Sequence, residues 1–162
     1  VIEHWELTAR ERIRDTLARY NWAGDAFRLD ELASAFCVDG ELELRGRPPI
    51  TGRRAIVDYL GGGSGGDDDA RRAARREAAA AAGGTTRIVR HNVTNIRFLE
   101  LAPELARVAC YFTVLTEIGL DHYGRYRDTL VPVGDEWLIQ HRFVSVDWRA
   151  PESTMAHWAA RP

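Results

Sequence analysis

Hydrophobic positions recur in two distinct rhythms along the chain. Ile13, Leu17 and Tyr20 repeat at helical spacing, and Thr8-Ala9-Arg10-Glu11 before them has the form of a capping box. One helix is therefore predicted from about Thr8 to Trp22, with Gly24 able to end it. Asp30 can cap a second, shorter helix whose buried face is Leu32, Ala33 and Phe36. Asp39-Gly40 reads as a turn, and Glu41-Leu42-Glu43-Leu44 alternates as a half-buried strand. Pro48-Pro49 breaks that strand, and residues 51–60 read as a third helix. After Thr85 the rhythm changes. Four long segments rich in β-branched and aromatic residues follow, Arg87–Leu99, Leu105–Ile118, His122–Val133 and Glu136–Trp148. Ala102-Pro103, Gly119 and Gly134-Asp135 separate them, as in an antiparallel meander. Helices first and a long sheet last means α+β. Strands of this length curl as they twist, so the concave side can hold a pocket beneath the helices.

Between the two rhythms lies an insert of about residues 61–86. It starts with Gly61-Gly62-Gly63-Ser64-Gly65-Gly66 and Asp67-Asp68-Asp69, a flexible linker with a charged end. Ala70 to Ala82 is rich in Ala and Arg and has no apolar stripe except alanine. It reads as an exposed, frayed helix with Arg71, Arg72, Arg75 and Arg76 on a solvated face, and as a mobile lid or entrance element. The tail from about residue 150 has little pattern, although Met155 and Trp158 are placed to pack back on the body.

Composition narrows the function classes. The chain has 162 residues, one domain's worth, with 45% hydrophobic and 28% charged residues. A formal charge of −2 provides no global field for nucleic acid or an anionic membrane. No stretch reaches the roughly 20 apolar residues of a membrane span. No secretory pattern opens the chain, and Val1 in place of Met reads as a trimmed terminus. Cys37 and Cys110 are the only cysteines, which suits reduced thiols in a cytoplasmic protein. All 22 basic residues are arginine, so lysine chemistry and a standard phosphate-binding loop are excluded. His122 and His141 lack the spacing of a metal site.

Polar residues stud the sheet segments. By strand parity His91, Val93 and Asn95 share a face, as do Tyr111, Thr113 and Leu115, and His122, Tyr126 and Asp128. Several strands thus present polar groups to one side, as a polar-studded cavity requires. Arg142 has Asp128 or Asp147 as possible structural partners.

Six segments then make a family visible: Tyr20-Asn21-Trp22-Ala23-Gly24-Asp25, Leu32-Ala33-Ser34-Ala35-Phe36, Asp39-Gly40, Arg90-His91-Asn92-Val93-Thr94-Asn95, Gly124-Arg125-Tyr126-Arg127-Asp128 and Trp137-Leu138-Ile139. Over about residues 5–150, the insert excepted, the chain resembles the SnoaL-like branch of the nuclear transport factor 2-like superfamily. The resemblance implies a single-domain cone, a curved mixed sheet around an apolar cavity closed by three N-terminal helices, and a homodimer or homotrimer. Within that superfamily it is most similar to scytalone dehydratase and bile-acid 7α-dehydratase, and after them to hexachlorocyclohexane dehydrochlorinase. That similarity implies a catalytic dyad of Asp25 and His91, with Tyr20 as a substrate-polarising donor. The cyclases of the branch instead use an acid further along the sheet, for which Glu117 and Asp128 are the nearest residues.

The chemistry of the dyad stands by itself. A neutral imidazole takes and returns a proton near neutral pH, and a carboxylate on its other nitrogen fixes the tautomer. The expected activity is a dehydratase, a cyclase, or both, on a hydroxylated polyketide-like or polycyclic carbonyl compound of secondary metabolism, with no metal or organic cofactor. Trp22, Phe36, Asn95, Tyr111, Thr113, Tyr126, Asp128 and Arg142 are expected to contact the substrate. The alternatives are an isomerase using the same dyad, a non-catalytic binding cone, and a structural subunit of a larger oxygenase.

Overall fold

A computed structural model describes residues 1–63 and 65–155. The chain order is α1 (His4–Asp25), α2 (Leu29–Ser34), β1 (Phe36–Leu44), β2 (Ile50–Thr51), α3 (Arg53–Leu60), α4 (Asp68–Ala81), β3 (Arg90–Ala102), β4 (Leu105–Thr116), β5 (Gly119–Val133) and β6 (Glu136–Arg149). One six-stranded sheet runs in the order β2-β1-β6-β5-β4-β3. Its pairs are antiparallel except β1 with β6, which is parallel. No described helix is long and apolar enough to cross a membrane.

The apolar face of α1 lies on the concave side of the sheet. Ile13 and Leu17 are fully buried there, and Thr16 donates its hydroxyl to the Trp137 carbonyl of β6 at 2.6 Å. The helix starts earlier than its sequence suggests, at His4 rather than near Thr8. Glu3 is the N-cap, in a reciprocal capping box with Glu6, and Thr8 instead bonds back to the His4 carbonyl. It also ends later. Phe27 takes a left-handed φ of 54°. Its N–H reaches the Gly24 carbonyl and that of Arg28 reaches Ala23, the bonding of a Schellman cap. A side chain other than glycine in that conformation costs about 1–2 kcal/mol.

Three other expectations change. Phe36 belongs to β1, not to the second helix, whose N-cap is Arg28 with Asp30 in its first turn. Asp39-Gly40 lies within β1 as an irregularity in its pairing with β6, where a Cβ on Gly40 would sit 2.8 Å from the Ile139 carbonyl. The insert helix α4 is anchored rather than frayed. Arg71 is 1% exposed and bonds Asp30 at 2.9 Å and Asp68 at 3.1 Å. The Asp68 carboxylate in turn accepts the backbone N–H groups of Asp30 and Glu31, meeting the free donors at the start of α2. Arg71 therefore faces the body, not solvent. Met155 packs against the core as expected; Trp158 lies outside the described residues.

Candidate functional site

Strand parity and one helix end create the site. His91 is the second residue of β3 and turns toward the concave side; Asp25 is the last residue of α1. Oδ1 of Asp25 lies 2.6 Å from Nδ1 of His91, and Oδ2 accepts the His91 backbone N–H at 2.9 Å. A carboxylate only accepts, so Nδ1 carries the ring proton and Nε2 keeps its lone pair. His91 borders a cavity of about 250 Å³ whose other polar side chains come from Tyr20, Asn21, Tyr59, His122 and Tyr126. Leucines of α2, α3 and β1 supply much of the remaining wall.

The tyrosines are held by a buried ion pair. Arg142 donates Nε and Nη2 to the two Asp128 oxygens, both at 2.8 Å, and neither side chain has exposed surface. Burial opposes the guanidinium charge, but Asp128 outweighs it and raises the Arg142 pKa. The guanidinium carbon lies 4.1 Å from the Tyr20 ring centre and 4.2 Å from that of Tyr126, close enough for cation–π attraction to both. Burial raises the pKa of both phenols, so both stay protonated as donors.

A second histidine–carboxylate pair faces the same cavity. Nδ1 of His122 lies 2.7 Å from Oδ1 of Asp121. Burial would raise the Asp121 carboxyl, but hydrogen bonds from Ser153, His122 and Thr116 hold it below its ordinary value. Burial lowers the His122 pKa despite Asp121, and the nearby His91 lowers it further. Sequence reasoning gives His122 no role beyond a polar strand face and a rejected metal site. The available signal is its parity with Tyr126 and Asp128 along β5. Among the described residues, no group of three or more His, Cys, Asp or Glu side chains is arranged to hold a metal ion.

The structure brings Asp25, His91, Tyr20 and Tyr126 together and separates other candidates from them. Trp22 is 74% exposed, outside the cavity. Phe36 is buried edge-on against Tyr20 as core. Asp128 and Arg142 bind each other behind the tyrosines. Tyr111 and Thr113 point away from the cavity, because the inward positions of β4 are Ala106, Val108, Cys110, Phe112 and Val114. Asn95 has a left-handed φ of 53° at a bulge in the β3–β4 pairing. The extra residue shifts the alternation, so Ile96 and Phe98 face the core and Asn95 joins Tyr111 in a separate outer depression. Glu117 pairs with Arg87 at 2.7 Å, also away from the cavity.

A curved mixed sheet with helices covering its concave side is the architecture of an NTF2-like, cystatin-like fold. The chain belongs to the SnoaL-like domain family, whose pattern matches residues 5–143. That family includes dehydratases and cyclases. None of the curated proteins matches the chain. Among solved structures, a Novosphingobium aromaticivorans protein provisionally named a scytalone dehydratase is similar, with a TM-score of 0.70 and 22% identity over 96% of this chain and 93% of the other. ActVI-ORFA of Streptomyces coelicolor aligns with a TM-score of 0.66 and 18% identity, covering 85% and 96%. A Catenulispora acidiphila protein solved with S-DNPA gives 0.62 and 26%, covering 85% and 92%.

Proposed function

We propose that this protein is a cofactor-independent dehydratase, or a cyclase working through the same enolate, for a hydroxylated polyketide-like carbonyl compound. The observation behind this reading is His91 at the cavity wall, held from behind by Asp25 with both carboxylate oxygens committed to it. His91 Nε2 removes the proton beside the carbonyl, and the C–H electron pair moves into an enolate. Tyr20 and Tyr126, kept protonated by burial, donate to the enolate oxygen; such a donor contributes about 2–4 kcal/mol in a dry site. The enolate re-forms the carbonyl and expels the β-hydroxyl. The His91 imidazolium gives its proton to that group, releasing water and an enone. Asp25 holds the ring and stabilises its charged form. Neutral His122 accepts a hydrogen bond from a substrate hydroxyl and so fixes which carbon faces His91. In a cyclase the same enolate instead attacks a second carbonyl of the substrate, whose C=O pair moves onto oxygen, and the His91 imidazolium returns its proton to that alkoxide.

A cavity of about 250 Å³ is slightly below the range of about 300–1,000 Å³ usual for drug-sized ligands. It therefore favours a compound of one or two fused rings over a larger polycycle. The test is to incubate wild type and His91→Ala with β-hydroxy ketones of that size and weigh the products. Loss of one water with wild type alone marks dehydration; an isomer of unchanged mass marks cyclisation. Equal turnover by both proteins removes the proposal.

A further inference from the structure

The insert helix α4 helps build a second hollow outside the central cavity. This cleft of about 640 Å³ is lined by Arg28, Arg72, Arg75, Arg76, Arg87 and Arg90, together with Trp22, Phe27 and Asp25. Phe27 borders both hollows, so the cleft adjoins the Asp25–His91 pair. Three of the arginines are answered by acids: Arg28 by Glu31, Arg72 by Asp69 and Arg87 by Glu117. Asp25, the only carboxylate in the lining, spends both oxygens on His91. Arg75, Arg76 and Arg90 bond only backbone carbonyls, of Arg87, Arg72 and Val89 respectively, and have no carboxylate partner among the described residues. Arg75 is half-buried over the Phe27 ring at 4.7 Å. Desolvation and the neighbouring Arg87 charge both lower its pKa. Cations crowded in this way repel one another, and a bound anion would relieve the repulsion.

We propose that this cleft binds the phosphate-bearing end of an organic ligand, a phosphate monoester or diphosphate, whose remainder extends past Phe27 toward the Asp25–His91 pair. Three unanswered guanidinium groups exceed what a single carboxylate neutralises. Their planar forks match phosphate oxygens in pairs. The cleft of about 640 Å³ has room beside the phosphate for an organic part, and the exposed Trp22 indole offers that part a flat surface. The extension past Phe27 rests on reading the central cavity as the reaction site; phosphate binding in the cleft does not.

The probes are ADP, AMP, pyrophosphate and acetate, titrated into the full chain at low salt and followed by calorimetry and tryptophan fluorescence. ADP and pyrophosphate are expected to saturate one site, AMP to bind more weakly and acetate not at all. Affinity should fall steadily with added salt, since the charges are partly solvated. Arg76→Glu and Arg90→Glu, both at exposed positions, should each weaken ADP binding about tenfold or more, the loss of a charge-assisted bond, with circular dichroism unchanged. His91→Ala should bind ADP like the wild type whatever happens to turnover, which separates failure of the cleft from failure of the catalytic reading. Absence of saturable binding by ADP and pyrophosphate overturns the proposal. So does acetate binding as tightly as pyrophosphate, or charge reversal at both arginines without effect.

Discussion

Replacing Asp25 by asparagine is the sharpest probe of the site, because it changes one group and leaves the shape intact. The wild-type carboxylate accepts twice, from the His91 ring at 2.6 Å and from its backbone N–H at 2.9 Å. An asparagine keeps one acceptor and gains a donor. The backbone N–H cannot change its role, so it retains the amide oxygen. The amide NH₂ then meets Nδ1, which must become an acceptor. The ring proton is thereby forced to Nε2, the nitrogen assigned to the substrate, and the base is lost. Forcing a catalytic histidine into the wrong tautomer in a serine protease costs about 10⁴ in kcat. With the His91 side chain 21% exposed and partly wetted, a loss of about 10³–10⁴ is expected here, or about 4–5.5 kcal/mol of barrier. It should fall on kcat and leave KM nearly unchanged. The tautomer can be read without a substrate, from the ¹⁵N shifts of the His91 ring, whose protonated nitrogen should move from Nδ1 to Nε2. If the Asp25→Asn variant keeps the wild-type tautomer, or turns over an accepted substrate within a few-fold of wild type, the reasoning is refuted.

The buried ion pair gives a stability prediction. Asp128→Ala strands a fully buried guanidinium and should cost about 3–5 kcal/mol in urea unfolding, whereas the double variant Asp128→Leu/Arg142→Met should recover most of that loss. His122 gives a pH prediction. Its folded pKa lies below the ordinary 6.5, so between those two values the unfolded chain binds the extra proton and stability rises with pH. Melting temperature should therefore fall as pH drops from about 7 through the lowered value, and His122→Phe should remove that part of the slope. Asp121, held below 3.8, should add a further loss only in stronger acid. Arg71→Ala should speed hydrogen exchange in α4 and at the start of α2 while leaving the sheet protected; exchange unchanged at both places would show that the anchor is idle.

Much of the site is legible in the sequence because it obeys short-range rules. The α+β order, the four long strands and the inward parity of His91 and Tyr126 follow from hydrophobic spacing. The Asp25–His91 contact across 66 positions is what the family resemblance carried by residues 20–25 and 90–95 implies. The misreadings fall where a local rule is overridden. Phe27 adopts a left-handed conformation that sequence reserves for glycine, so local rules end α1 too early. The bulge at Asn95 moves that residue out of phase with His91. Tyr111 and Thr113 share a strand face, but only the packing of α1 against the sheet decides which face is concave. The insert reads as solvated because its anchor is one arginine that pairs with Asp30 of α2 and with Asp68 of its own helix, whose carboxylate reaches the start of α2.

The sequence by itself determined which residues can form helices and strands, and which side chains can carry a proton, because both depend on near neighbours and intrinsic chemistry. Tertiary structure alone decided which of those side chains meet. It turned Arg142 and Asp128 from substrate ligands into a support for two tyrosines, and set His122 in the wall of the cavity that His91 borders. It also gathered six arginines from α4 and the segments before α2 and at the start of β3 around one cleft. The physical reason is that partners, burial and charge balance depend on distances between segments remote in the chain, which are fixed only when the sheet curves and the helices settle into its hollow.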